Sequence, residues 1–78
     1  MSVSAYILIQ TDVGRSPSVV TEISQLAGVI SAEEVMGTYD VVVKAEAETL
    51  EVLTREIISK VQKVEGITRT LTCPVIHL

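Results

Sequence analysis

The chain has 78 residues, of which 47% are hydrophobic and 21% are charged, so it is one small domain and not a disordered segment. Thirteen valines and eight isoleucines stand against six leucines, and Phe and Trp are absent; this composition favours β-strands but is poor in large core side chains. Because the only Cys and the only His exclude an intrachain disulfide and a multi-histidine metal site, we expect self-association to complete so small a core.

The net charge of −4 argues against direct binding to nucleic acids, which need a basic face. The six basic residues are spread along the chain and form no stripe with interleaved aromatics. No basic n-region precedes the first apolar run, and no stretch approaches the ~18 apolar residues of a membrane span. With one unpaired cysteine, which is typical of a reducing compartment, these features predict a cytoplasmic protein that binds neither nucleic acid nor membrane.

Strand, helix and strand follow one another in the first half of the chain, over residues 3–11, 17–27 and 29–36. Apolar residues alternate along the first strand, and Tyr6 and Leu8 make part of its second face apolar as well. Such a strand is typical of the middle of a sheet that is covered on both sides. The helix carries an apolar residue at every third or fourth position.

Local signals define the ends of the predicted helices. Ser16 followed by Pro17 predicts an N-cap and a first helical proline. Gly28 and Gly66 predict left-handed residues that stop the first and the second helix.

The second half repeats the order of elements, over residues 39–46, 49–64 and 67–73. Gly37 and Thr38 form a short connection before the third strand, which favours an antiparallel hairpin. Pro74 has no N–H to donate to a ladder, so the last strand is predicted to lie at an edge of the sheet.

The two halves also resemble each other in sequence at an offset of 38 residues: Val3 corresponds to Val41, and Gly28 to Gly66. Two β-α-β halves in this order predict an α+β, ferredoxin-like βαββαβ sandwich with a four-stranded antiparallel sheet and two helices on one face. The other face then carries exposed apolar residues, which mark a partner surface. A second copy of the chain is its simplest cover, as in dimeric α/β-barrel proteins.

The sequence offers little for catalysis, for a metal or for a cofactor, and we predict none of them. Cys73 and His77 are four residues apart on an extended segment, roughly 13 Å at ~3.3 Å per residue, which is too far for a nucleophile and its base. We therefore interpret Cys73 as a small filler of a β-strand. The chain has no Gly-rich phosphate loop, no CxxC and no HExxH motif.

Two short segments remain as candidate ligand sites. In Gly37-Thr-Tyr-Asp40 the glycine lets a ligand approach the backbone, Tyr39 can wall a pocket and Asp40 can receive an ammonium group. Thr70 and Thr72 share one face of a strand and could present their hydroxyls to a ligand. Residue chemistry alone equally allows an ordinary turn and an ordinary edge strand.

The order and spacing of these motifs resemble a known family over essentially the whole chain. The motifs are an opening strand Ala-Tyr-Ile-Leu-Ile, a helix ending Leu-Ala-Gly-Val, the strand Glu-Glu-Val-Met-Gly, the hairpin Gly-Thr-Tyr-Asp, and the final Gly-Ile-Thr-Arg-Thr-Leu-Thr. They are similar to the RAM domain, the ligand-sensing half of the Lrp/AsnC transcription regulators. The helix-turn-helix domain of those regulators has no counterpart in residues 1–78, so the chain resembles the stand-alone RAM proteins.

The resemblance implies a function and an assembly. Domains of this family pair sheet to sheet into dimers, which assemble into rings, commonly octamers, with amino-acid effectors bound between dimers. It implies that Gly37, Tyr39, Asp40, Thr70 and Thr72 line that pocket. The expected partners are an amino acid and further copies of the chain, and the module would act on full-length regulators of the family or on metabolic enzymes.

Two other functions stay open on the sequence. A small dimeric α/β-barrel enzyme, such as a monooxygenase or an isomerase, shares the same plan, and a pocket with Tyr6 or His77 beside a buried acid would indicate it. A purely structural assembly module that binds no effector is the third interpretation.

Overall fold

The computed structural model describes residues 2–76 and has the predicted element order. The strands are β1 (Val3–Thr11), β2 (Val29–Glu34), β3 (Val41–Ala47) and β4 (Ile67–Pro74). Helix α1 is Ser16–Ser24, and helix α2 runs over residues 50–61 as the consecutive segments Leu50–Val52, Leu53–Ile58 and Ser59–Val61. The ferredoxin-like α+β prediction is confirmed. None of the helices in residues 2–76 is long and apolar enough to cross a membrane.

The four strands form one antiparallel sheet in the order β2-β3-β1-β4. In the middle of β1, Ile7 lies opposite Val43 of β3 on one side and Thr72 of β4 on the other. β4 is an edge strand, as Pro74 predicts, because a proline cannot donate a hydrogen bond to a further strand.

One aliphatic core fills the space between the sheet and the two helices. Its buried side chains are Ala5, Ile7, Ile9, Val41, Val43 and Ala45 from the sheet and Val19, Ile23, Leu53, Ile57 and Val61 from the helices. No polar or charged side chain is buried within residues 2–76. Since successive side chains of a strand alternate between faces, the even-numbered residues of β1 and β3 lie on the side away from the helices. We call that side of the sheet the open face.

The start of α1 differs from the prediction. Arg15 takes the N-cap position without a side-chain hydrogen bond, and Ser16 is the first helical residue. The Ser16 hydroxyl instead donates to Glu34 at the end of β2, at 2.9 Å. A partner 18 residues away in sequence thus competes successfully with the local capping bond that the sequence suggests.

Both helices also end earlier than predicted. After Ser24, the N–H of Leu26 donates to the carbonyl of Ile23, a shorter turn than that of an α-helix. Gly28 follows with φ +91°, the left-handed conformation expected of a stop residue. The tightening of the last turn accounts for three residues that hydrophobic periodicity assigns to the helix.

The middle of α2, Leu53–Ile58, is a π-helical segment. Leu53, Ile57 and Val61 are nevertheless all buried, because the segment keeps one apolar side toward the sheet. Thr49 caps the helix, with its hydroxyl accepting the N–H of Val52 at 3.1 Å. Periodicity predicts this apolar stripe but does not distinguish α-helical from π-helical hydrogen bonding.

Candidate functional site

The hairpin loop over residues 35–40 joins β2 to β3 and carries three of the five predicted site residues. Gly37 has φ +140° and no atom within 4 Å of the place where its Cβ would lie, so its backbone is open to a ligand. Tyr39 and Asp40 are half-buried where the loop enters β3. The structure therefore brings Gly37, Tyr39 and Asp40 together at one end of the sheet.

Asp40 holds this end of the sheet together. Its N–H donates to the carbonyl of Ile9 at 2.8 Å, and its carbonyl accepts the N–H of Val35 at 2.9 Å. Its Oδ2 accepts the backbone N–H of Thr11 at 2.8 Å and the Thr11 hydroxyl at 3.4 Å. Oδ1 accepts no hydrogen bond from residues 2–76.

Gln10 connects the hairpin to the last strand, a role that the sequence did not reveal. Its side-chain Nε2 donates to the carbonyl of Thr38 at 2.9 Å, and its own carbonyl accepts the Thr68 hydroxyl at 3.2 Å. These bonds join residues 28 and 58 positions apart, so no local motif signals them. The same applies to Thr11, whose N–H binds the Asp40 carboxylate.

Thr70 and Thr72 lie on the outer strand β4. Thr70 is opposite Ile9, which is in turn opposite Val41, so Thr70 is two strands away from the start of β3, roughly 10 Å at ~4.8 Å per strand. Thr72 is one row farther from the hairpin, opposite Ile7. Both threonines are half-buried on the helix side of the sheet. A single chain therefore does not gather the five predicted residues around one ligand.

A surface cleft of about 230 Å³ lies between the end of α2 and β4. It is lined by Gln62, Ile67, Thr68, Arg69 and Thr70. Thr70 is the only predicted site residue among these, and the hairpin residues lie elsewhere. Arg69 supplies a positive charge that suits a carboxylate.

The remaining chemical candidates lie apart from these sites. Cys73 is exposed on β4, so its interpretation as a strand filler is wrong: its register places it opposite Tyr6, on the open face. His77 lies outside the described residues. Tyr6 is 41% exposed and has no buried acid beside it in residues 2–76. In the same range no three His, Cys, Asp or Glu side chains are grouped to hold a metal.

The open face has an apolar centre with charged surroundings. Leu8 of β1 lies between Val42 of β3 and Leu71 of β4, and Leu71 is 46% exposed. In the next row Tyr6 lies between Lys44 and Cys73, with the Lys44 Nζ 5.9 Å from the centre of the Tyr6 ring. Such a face, which extends over β1, β3 and β4, is suited to contact with another protein surface.

Comparisons with known proteins agree with this architecture. The family model of the Lrp/AsnC ligand binding domain matches residues 4–77. A search of curated protein sequences gives no significant match.

Three solved structures illustrate the likeness. A hypothetical protein of Pyrococcus horikoshii, PHS023, is 34% identical, with a TM-score of 0.87 over 97% of this chain and 92% of its own. FFRP-DM1 is 35% identical, with a TM-score of 0.88 over 95% of this chain and 99% of its own. AsnC of E. coli is 25% identical with a TM-score of 0.87; the match covers 97% of this chain but 52% of AsnC, so this chain spans about half of that protein.

Proposed function

Because this chain belongs to the Lrp/AsnC ligand-binding domain family, we propose that it is a non-catalytic module that senses an amino acid and assembles with copies of itself. The observation that carries the proposal is the half-used carboxylate of Asp40. Oδ2 is bound by Thr11 and fixes the side chain, while Oδ1 is free to accept the ammonium group of an amino acid.

The effector site is built between copies of the chain. Gly37, Tyr39 and Asp40 of one copy supply an open backbone, a wall and a carboxylate, and Thr70 and Thr72 of a neighbouring copy supply hydroxyls. The distance of two strands between the hairpin and Thr70 within one chain supports this division. Hydroxyls and backbone N–H groups hold the carboxylate of the amino acid, and Asp40 holds its ammonium group.

The copies pair through their open faces. Leu8, Val42 and Leu71 leave water in this contact, which adds a second apolar layer to a chain that lacks aromatic core residues. Pairs of chains then assemble into a ring, with an octamer as the expected size. We place the assembly in the cytoplasm, where full-length regulators of the same family are its expected protein partners.

Calorimetric titration of the native oligomer with each of the twenty amino acids tests the sensing function. We expect heat and saturation with a subset of them. The assembled state is verified first by light scattering, so that a missing site between copies does not explain a negative result. No binding of any amino acid at millimolar concentration to the verified oligomer contradicts the sensing function.

Substitution of Asp40 tests the residue that carries the proposal. In Asp40→Asn the side-chain oxygen can still accept the Thr11 N–H, but the charge is lost. We expect the affinity for the amino acid to fall about 10- to 150-fold, which corresponds to the ~1.5–3 kcal/mol of a hydrogen bond to a charged group. Calorimetry measures this change.

Two further variants separate binding from folding. Asp40→Ala also removes the acceptor of the Thr11 N–H, so we expect it to lower the free energy of unfolding by about 1 kcal/mol more than Asp40→Asn does. Glu22→Gln removes the same charge from the exposed side of α1 and should leave the affinity unchanged. An Asp40→Asn oligomer that binds as tightly as the original chain contradicts the assigned role of Asp40.

A further inference from the structure

The two outer strands of the open face carry opposite charges. Glu33 of β2 is opposite Val42 of β3, which is in turn opposite Leu8, so Glu33 lies on the same side of the sheet as Leu8. At the other edge Arg69 of β4 is opposite Gln10, an even-numbered residue of β1, and lies on that side as well. Because β4 is the outermost strand, Arg69 borders both the open face and the cleft beside α2. The open face therefore has an acidic edge at β2 and a basic edge at β4.

Neither of these two charges is neutralised within the part of the chain that the structure describes. Both side chains are exposed, and neither forms an ion pair in residues 2–76. The charged residues that β3 carries on the same face already have partners: Lys44 lies over an aromatic ring, 5.9 Å from its centre, and Glu46 accepts the Ser2 hydroxyl at 3.3 Å. Glu33 and Arg69 are therefore the unpaired charges of the open face within residues 2–76.

The charged edges distinguish the two ways in which two copies can pair. Two sheets with aligned strands are related by a two-fold axis that lies between them and runs either across the strands or along them. An axis across the strands places each strand over its own copy, so Glu33 faces the acidic edge, Arg69 faces the basic edge, and like charges repel. An axis along the strands exchanges the edges, so that β2 lies over β4 of the second copy and β1 lies over β3. Opposite charges then meet, which makes this orientation the favourable one.

From these charges we infer that two copies pair about an axis along the strands, with Glu33 of each copy in an ion pair with Arg69 of the other. The inference rests on the proposed pairing of open faces and adds its orientation. Because rotation about this axis leaves the position along the strands unchanged, Leu8 faces Val42 of the second copy and the two apolar centres meet. Glu33 then faces Leu71 of the second copy, two residues along β4 from Arg69, roughly 7 Å at ~3.4 Å per residue. Two long side chains can bridge this offset between sheets that stack ~10 Å apart.

Exchange of the two charges tests the orientation. Glu33→Arg and Arg69→Glu each create two like-charge contacts in a pair of copies, so we expect each to weaken assembly at least about fivefold in sedimentation equilibrium. The double variant, and an equimolar mixture of the two single variants, bring opposite charges together again. Both should assemble to within about twofold of the original chain, and native mass spectrometry of the mixture should show mixed pairs. Glu22→Arg and Lys63→Glu make the same charge changes at exposed positions of the helical layer and serve as controls.

A thiol cross-link measures the same orientation directly. In the proposed pair Cys73 faces Ser31 of the second copy, whereas the two Cys73 side chains lie at opposite edges, three strands or roughly 14 Å apart at ~4.8 Å per strand. A short bismaleimide should therefore link Ser31→Cys chains into dimers but not the original chain. The inference is overturned if the single charge variants assemble like their controls, if the double variant stays weak, or if Cys73 of the original chain is cross-linked. An original chain that is monomeric contradicts the pairing of open faces itself.

Discussion

The two faces of the sheet carry similar side chains but differ in what covers them. On β1, Ile7 and Ile9 are fully buried against the helices, while Tyr6 and Leu8 lie on the open face. Both pairs are large and apolar, and the strand alternates between them residue by residue. The difference is therefore not one of hydrophobicity but of the partner: the chain supplies its own helices for one face and none for the other.

The core between the sheet and the helices contains no aromatic side chain. The helix side is filled by aliphatic side chains alone, and no polar side chain is buried there in residues 2–76. The open face holds Tyr6, one of the two aromatic side chains of the sequence. If copies pair through this face, as we propose, then the second core of the molecule lies between chains.

The largest expected effect comes from a core truncation compared with its neighbour on the open face. Ile7→Ala should lower the free energy of unfolding by about 2–5 kcal/mol at every protein concentration, because it leaves a cavity among buried residues. Leu8→Ala should lower it only at concentrations where the chain is assembled. Urea unfolding at two widely separated concentrations measures both. If Leu8→Ala lowers the free energy of unfolding by the same amount at low and at high protein concentration, the distinction between the two faces is contradicted.

A charge on the open face should dissociate the assembly without unfolding the chain. Leu8→Asp places a carboxylate between Val42 and Leu71, and burying it against a second copy is costly. We expect a monomer in sedimentation velocity with an unchanged far-ultraviolet circular dichroism spectrum. Glu22→Lys, on the helix side, serves as the control. A Leu8→Asp chain of the original mass shows that the assembly uses another surface.

The reactivity of Cys73 should show a smaller effect of assembly through the open face. It is exposed in the single chain and lies opposite Tyr6. We expect its reaction with a thiol reagent to slow down as the protein concentration rises and the chain assembles. The Leu8→Asp variant should react at the fast rate at all concentrations. A rate that does not depend on concentration in the original chain means that Cys73 stays outside the contact.

The smallest expected effect concerns the cation above Tyr6. Lys44→Gln removes the ammonium group that lies 5.9 Å from the ring centre. At an exposed site this interaction contributes about 0.5–1 kcal/mol, so the substitution should lower the free energy of unfolding by no more than that. Tyr6→Leu combined with Lys44→Gln gives the coupling between the two side chains in a double-mutant cycle. A coupling energy of zero means that Lys44 does not interact with the Tyr6 ring and contributes only to the surface charge.

Much of the fold could be predicted because its signals are local. Alternation marks β1, a helical period marks α1 and α2, and the prolines and glycines mark the breaks. The hairpin Gly37-Thr-Tyr-Asp40 and the edge position of β4 also follow from short motifs. The exact helix ends could not be predicted, because Ser16 binds Glu34 and not its own helix, across 18 residues.

The residue types of the candidate site can be proposed from the sequence, but their arrangement in space cannot. The sequence pointed to Asp40 as an ammonium acceptor, whereas the Thr11 N–H on its Oδ2 and the bridge through Gln10 join residues far apart along the chain. Whether Thr70 and Thr72 complete the site with the hairpin of another copy remains a prediction. Because Thr70 and Thr72 lie two strands from β3 in the same chain, we propose that they meet the hairpin of a neighbouring chain.

Composition and the periods of two and of about 3.6 residues fix the order of elements and the two apolar faces of β1, and they lead to the prediction of a partner surface. The tertiary structure decided which residues meet. It set the strand order, exposed Cys73, divided the Asp40 carboxylate between Thr11 and a free oxygen, and placed Glu33 and Arg69 at opposite edges of the open face. Such contacts depend on the register of strands far apart in the chain, which no local pattern encodes.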